Sequence, residues 1–375
     1  MHITLHLTTR CNMRCSYCYS PPTERLDMTS EIIARTIELS RTFSPANTGI
    51  IFFGGEPLLR KDLITETIER CRQDEKETGS SFHFKVTTNG LLLDRPFLEF
   101  AQRYRLQVAM SIDGIEEAHN QHRKTQSHAP TFEIIEKKID LLLSFQPYAY
   151  AFMTVTPETV SYYSESVNFL FEKGFRYIIA SLNYAGEWES RSLKRLQKEY
   201  RRLSDIYERL TLEGKKFYFS PFEKKFASHI QGKDALCLQC HFGTKQISIS
   251  PDGDIYPCVQ FVGDGLSNKN FSLGDVWNGI DAAKQEQLYR LSREENEACS
   301  RCGLGHRCEH RCSCLNWQTT GSIDEVSPVL CETERMLIPI VDRLGERLFR
   351  KRAPMFIQKH YNAAYPFISY IEDRL

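Results

Sequence analysis

The chain has 375 residues, long enough for a barrel-like domain of about 200–250 residues plus an appendage, so two domains are expected. Lys plus Arg and Asp plus Glu each number 48 and no basic block is present, which argues against a nucleic-acid backbone as partner. Residue 2 already opens an alternating strand and no apolar run reaches the roughly 18 residues of a spanning helix, so neither a signal peptide nor a membrane partner is expected and the cytoplasm is the expected compartment.

Short apolar runs alternate with longer amphipathic ones from residue 2 to about 182. His2–Leu7 reads as a strand, and Ser30–Phe43 has helical periodicity with Thr29 or Ser30 as its cap. Gly49–Phe53 is a buried strand ending in Gly54-Gly55, followed by a helix over Leu63–Arg72. The pattern continues with a strand at His83–Thr87 closed by Thr88-Asn89-Gly90, a helix at Pro96–Arg105, and a strand at Leu106–Ile112 that ends at Asp113-Gly114. Helix Ile134–Phe145, strand Ala149–Val155, helix Val160–Lys173 and strand Tyr177–Ala180 complete six repeats. Such alternation predicts parallel strands with helices outside, an α/β fold best met by a partial (β/α)6 barrel. An open doubly wound sheet is the alternative, but its glycine-rich dinucleotide fingerprint is missing after the first strand. In a barrel, reactive groups sit at the carboxyl ends of strands, where the turns after strands one to four all fall.

Arg191–Leu212 reads as a charged helix within a connector over 186–236. From Cys237 the composition shifts to Cys, Gly and polar residues, marking a second domain over 237–335. Ile247–Ser250 and Ile255–Cys258, joined through Pro251-Asp252-Gly253-Asp254, predict a β-hairpin. Leu337–Phe349 reads as a helix in a final segment, 336–375, whose aromatic tail has no readable role.

Thirteen cysteines in a cytoplasmic chain favour metal ligation over disulfides. All but Cys71 fall within residues 11–18 and 237–331, and Cys71, inside a helix, reads as a small buried hydrophobe. After the first strand stand Cys11, Cys15 and Cys18, a Cys-x3-Cys-x2-Cys loop. A Cys-x-x-Cys alone suits a zinc corner or a redox pair. The third cysteine, and the lack of a His or Cys within the next fifty residues to close a tetrahedron, favour an iron–sulfur cluster with one iron left open.

This loop, followed by Gly54-Gly55-Glu56-Pro57 after the second strand, closely resembles the radical S-adenosylmethionine (radical SAM) enzymes. The resemblance implies that Cys11, Cys15 and Cys18 hold a [4Fe–4S] cluster whose open iron chelates the methionine part of S-adenosyl-L-methionine, and that Gly54, Gly55, Glu56 and Pro57 contact its amino group. Backbone that must approach a ligand closely suits paired glycines. Tyr17 matches an aromatic position near adenine, Ser111 and Asp113 match polar cosubstrate contacts, and Asn89 and Thr88 are level with them. Residues 1–185 would then form the radical SAM partial barrel.

The carboxy-terminal cysteines run Cys240-x12-Gly253-x4-Cys258, then Cys299-x2-Cys302-x5-Cys308-x3-Cys312, then Cys331. This spacing resembles the SPASM extension, which carries two auxiliary [4Fe–4S] clusters and here brings the β-hairpin and short helices. By that resemblance Cys237, Cys240, Cys258 and Cys312 hold one cluster, Cys299, Cys302, Cys308 and Cys331 the other, and Cys314 is left over. Zinc remains the alternative for such thiolate sets.

The family's chemistry is reductive cleavage of the sulfonium to a 5′-deoxyadenosyl radical, and the SPASM likeness implies a peptide or protein side chain as its target. The expected function is a peptide maturase that installs a thioether or carbon–carbon cross-link in a ribosomally synthesised precursor peptide. The runner-up is a formylglycine-type sulfatase maturase or another protein-maturing dehydrogenase, and a non-catalytic metal-binding scaffold is the reading of another class. Formylglycine-forming members carry an acidic residue directly after the cysteine of Gly-x4-Cys, whereas Val259 and Gln260 follow Cys258 here. The chain begins on its first strand, so leader recognition is expected from another surface or a separate leader-binding protein. An electron donor such as flavodoxin or ferredoxin is the remaining implied partner.

Overall fold

The computed structural model describes all residues except 20–24, 45, 233–240, 263–268, 295–296, 310–311 and 374–375. In chain order the first repeats are β1 (His2–His6), α1 (Ser30–Phe43), β2 (Thr48–Phe53), α2 (Lys61–Thr78), β3 (Phe82–Thr88), α3 (Arg95–Tyr104) and β4 (Leu106–Ser111). Then come α4 (Glu116–His122), α5 (Phe132–Phe145), β5 (Tyr150–Val155), α6 (Tyr163–Glu172), β6 (Tyr177–Leu182), α7 (Ser190–Leu212), β7 (Tyr218–Phe219) and α8 (Ser220–Gln231). The remainder holds β8 (Gln246–Ile249), β9 (Asp254–Tyr256), β10 (Gly274–Asp275), β11 (Gly279–Ile280), α9 (Ala282–Leu291), α10 (Glu297–Ser300), α11 (Ser313–Thr320), α12 (Pro328–Arg350), α13 (Pro354–Tyr361) and α14 (Tyr365–Glu372). Among the described residues no helix is long and apolar enough to cross a membrane.

The chain folds into two compact units, the first comprising Met1–Ser111, His122–Gln146 and His241–Glu294. Its strands β1 to β4 are parallel and adjacent in chain order, and β8 pairs with the free side of β1, also parallel. The register aligns Ile3 with Ile50, Ile50 with Phe84 and Phe84 with Leu106, a row of apolar side chains on one face. All four are at most 3% exposed, and each such burial stabilises by about 1.5–3 kcal/mol. Helices α2 and α3 pack beside β3 and β4 and add Ile64, Ile68 and Leu98 to this core. Alternation puts Thr4, Lys85 and Gln107 on the opposite face.

Local signals explain most boundaries. The Thr29 side chain caps α1 by accepting from the Ile32 N–H. Gly79 ends α2 in the left-handed region at φ 73°, six residues beyond the predicted end, because nothing before it interrupts the helix. The predicted helix Val160–Lys173 begins instead with a 3-10 turn, Val160–Tyr162.

The second unit comprises Ile112–Gln121, Pro147–Cys240 and Glu295–Leu375, with β5, β6 and β7 parallel and in that order. Here α12 starts nine residues before its predicted start, with Pro328 at its first position, so Cys331 lies inside a helix. Two helices without a clear sequence signal, α8 and α13, pack on α12.

Candidate active site and metal centre

The three cysteines after β1 sit in a loop that is tied down at many points within the first unit. Thr8 Oγ1 donates to Asp27 Oδ1 at 2.5 Å, and Arg10 Nη2 and Arg60 Nη1 approach Asp27 Oδ2 at 2.5 and 3.2 Å. Partial burial opposes ionisation of Asp27, but the bonds from Thr8 and Arg10 and the charges of Arg10 and Arg60 outweigh it and hold the carboxyl below its ordinary range. Gln126 Nε2 donates to the carbonyls of Cys11 and Met13 at 2.9 and 2.8 Å. Arg14 and Ser16 donate their backbone N–H groups to the carbonyls of Lys124 and His122. These residues are about a hundred positions from the cysteines, and no sequence signal links them.

Cys11 and Cys15 are half-buried and Cys18 is exposed. The Cys11 sulfur accepts from the Met13 N–H at 3.4 Å and from Asn89 Nδ2 at 3.7 Å. Burial pushes the Cys11 thiol up to about 12, against the Met13 bond, and Glu56, Cys15 and Cys18 add to the rise. Ionising Cys11 is therefore helped by a cationic centre beside it, and an iron–sulfur cluster supplies one.

The turn after β2 docks directly on this loop. Gly55 and Glu56 donate their N–H groups to the carbonyls of Thr8 and Arg10 at 2.8 and 2.9 Å. Gly54 has φ 126°, and a Cβ there would stand 2.4 Å from the Thr8 carbonyl oxygen; at Gly55 it would stand 2.2 Å from that of Arg10. Paired glycines are expected to make room for a ligand, and the backbone they admit in the structure is that of the cysteine loop. The Glu56 side chain, 1% exposed, joins a third turn: Oε1 accepts from Thr88 Oγ1 at 2.7 Å and from the Leu58 N–H at 3.0 Å, and Oε2 accepts from the Asn89 N–H at 2.8 Å. Burial raises its carboxyl to about 6 despite these donors. Pro57, also buried, starts a 3-10 turn over Pro57–Arg60.

Asn89 Nδ2 also donates to Asn12 Oδ1 at 2.8 Å, and the pairing of Thr88 with Met110 sets Asn89 level with Ser111. The Tyr17 ring is held by the His122 ring, centroids 5.2 Å apart, with the Arg123 guanidinium 5.4 Å from its centre. In the second unit Asp113, 1% exposed, accepts from the Thr154 N–H through Oδ1 at 3.0 Å.

Of the carboxy-terminal cysteines, Cys237 and Cys240 lie outside the described residues. Cys258 is buried in the first unit, directly before the 3-10 turn Val259–Phe261. In the second unit Cys299 and Cys302 share a turn closed by the Cys302 N–H on the Cys299 carbonyl at 3.1 Å. Cys312 stands at the N-cap position of α11 without a side-chain capping bond, with its sulfur 3.6 Å from that of Cys314. Cys308 is half-buried after the turn Gly305–Arg307.

Comparison with known proteins places these features in a family. The family model described as the radical SAM superfamily matches residues 5–170, and the SPASM model, described as an iron–sulfur cluster-binding domain, matches residues 240–303. A cysteine-type anaerobic sulfatase-maturating enzyme of Clostridium perfringens is 25% identical over 318 residues, 80% of this chain and 85% of the relative. The fold is that of native anSMEcpe with bound AdoMet and Cp18Cys peptide, at TM-score 0.79 and 21% identity over 93% of this chain and 99% of that one. Streptococcus suis SuiB bound to precursor peptide SuiA is a more distant match, at TM-score 0.58 and 16% identity over 88% of this chain and 75% of that one.

Proposed function

Because the chain belongs to the radical S-adenosylmethionine superfamily and carries a SPASM domain, we propose that it matures a peptide or protein substrate by oxidising one side chain, a reading supported by its likeness to a sulfatase-maturating enzyme. The observation that carries this reading is a likeness over most of both proteins in sequence and almost the whole length of both in fold. It moves the expected cross-linking maturase to second place, since SuiB matches at a lower TM-score over less of its length.

In this reading Cys11, Cys15 and Cys18 hold the cluster that binds S-adenosyl-L-methionine, and the carboxy-terminal cysteines other than Cys314 hold two auxiliary clusters in the sets the SPASM resemblance implies. When bound, these groups supply one-electron reduction and hydrogen-atom abstraction. The chain's part is placement. Gln126 and the Asp27 network keep the cysteine loop in one conformation. The Asn89 amide and the Met13 N–H donate to the Cys11 sulfur, where hydrogen bonds tune a cluster's potential. Tyr17, braced by His122 and Arg123, offers an aromatic face for adenine.

One observation favours the second reading. Val259 follows Cys258 where formylglycine-forming members carry an acidic proton acceptor, and Val259 cannot take a proton. A peptide assay separates the two. Anaerobic protein, reconstituted to about twelve irons for three four-iron clusters, is given S-adenosyl-L-methionine, reductant and either the Cp18Cys peptide or the same peptide with serine in place of its cysteine. Formation of 5′-deoxyadenosine together with a carbonyl at the peptide cysteine is expected by mass spectrometry. Cosubstrate cleavage with Cys and Ser peptides both unchanged would overturn the oxidative reading, and zinc in place of iron would overturn both.

A further inference from the structure

Cys314 is the one cysteine of the carboxy-terminal zone outside the assigned ligand sets. It is 6% exposed and lies in the first turn of α11, two residues after Cys312 at the N-cap position. The two sulfurs are 3.6 Å apart. Two thiolates bound to one tetrahedral metal, each at about 2.3 Å, stand about 3.8 Å apart, so the pair has the spacing at which one iron can be reached from either sulfur without moving the backbone. Between them Ser313 is fully buried, and its hydroxyl has no hydrogen-bond partner among the described residues. A buried hydroxyl of this kind, adjacent in the chain to both cysteines, is the kind of group that bonds a cluster sulfur. Cys71 shows the contrast. It too is buried, but in the middle of α2 on the face of Ile64 and Ile68, and it serves as a small apolar side chain.

We propose that Cys312 and Cys314 form a two-thiol corner at which one iron of an auxiliary cluster is held by either sulfur. This rests on the reading of Cys312 as a cluster ligand. The exchange is redox-neutral: the iron–sulfur bond to Cys312 breaks as the one to Cys314 forms, and the Cys314 proton passes to the departing sulfur.

Iron and sulfide counts with electron paramagnetic resonance of the reduced protein test it on the reconstituted full chain. Wild type, C312A, C314A and the double variant are compared, with C331A as a ligand without a neighbouring cysteine in sequence. Each single variant at 312 or 314 should keep the wild-type iron count, with a shifted auxiliary signal in C312A, while the double variant and C331A should each lose about four irons, one cluster's worth. Loss of those irons in C312A alone, or in C314A alone, overturns the shared corner. Full iron in the double variant overturns it too, together with the ligand role of Cys312, and zinc in wild type marks failure of the underlying reading instead. Serine variants at both positions repeat the comparison where an alanine variant does not fold.

Discussion

Glu56 and its two preceding glycines are the residues on which three turns meet. The glycines let the turn after β2 touch the cysteine loop, and the Glu56 carboxylate reaches on to Thr88 and Asn89. Gly55→Ala should therefore disturb the cysteine loop rather than a ligand contact. A Cβ at 2.2 Å from a backbone oxygen cannot be relieved by rotating a side chain, so one strand end must shift. A loss of about 1–3 kcal/mol is expected from such overpacking, read as a lower midpoint in anaerobic thermal unfolding and as a reduced iron count. Gly79→Ala is the control, because a Cβ there meets nothing within 4 Å and only its φ of 73° is strained. Equal effects at the two positions would refute the close-approach argument. The Gly-Gly-Glu-Pro turn was legible in the sequence as a motif, but its physical reason was not. Which atoms a missing Cβ would strike, or that Gln126 braces Cys11, depends on chain segments brought together from far apart.

At the scale of elements, the tail helix α13 docks through buried polar groups rather than an apolar stripe. Lys359 Nζ donates to the Phe217 carbonyl at 2.5 Å and pairs with Glu223, which also accepts from the Tyr207 hydroxyl at 2.9 Å. His360 packs against the Phe226 and Phe356 rings, at 5.0 and 4.7 Å between centroids. Burial, with the Lys359 charge adding to it, outweighs Glu223 and lowers the His360 imidazole to about 4. The folded state thus keeps His360 neutral while the unfolded chain takes up a proton near its ordinary value. Stability from this group is fully present above about pH 6.5, falls as pH drops towards 4, and changes no further below that. The expected loss from pH 7 to pH 5 is about 2 kcal/mol, measured as urea midpoints, and His360→Gln should remove that share of the pH dependence. An unchanged slope in the variant would contradict the assignment. This element escaped sequence reading because a Lys-His pair beside a tail reads as solvated surface, and only tertiary burial reverses that. The strand and helix repeats up to β6 were readable because their periodicity is local.

Across the whole chain, the least legible feature is the partner of the carboxy-terminal hairpin. Its Asp-Gly turn is visible in the sequence, and β8 and β9 do pair antiparallel. No local signal says that β8 also runs parallel to β1, with His2 to Leu5 registered on Gln246 to Ile249 more than 240 positions away. The residues after 240 therefore complete the sheet that carries the cysteine loop. A chain ended at residue 236 would leave β1 with bare N–H and C=O groups along one side, on a strand whose Ile3 and Leu5 are each 1% exposed in the intact protein. An unpaired apolar edge of this kind recruits other chains. The truncated protein is expected to aggregate or to elute as large oligomers in size-exclusion chromatography. Its Cys11 loop, which follows directly from β1, should bind iron poorly even where some protein stays soluble. A monomeric fragment with a cooperative unfolding transition and about four irons would show instead that β1 needs no partner on that side, and that the cluster loop is independent of the domain that follows it.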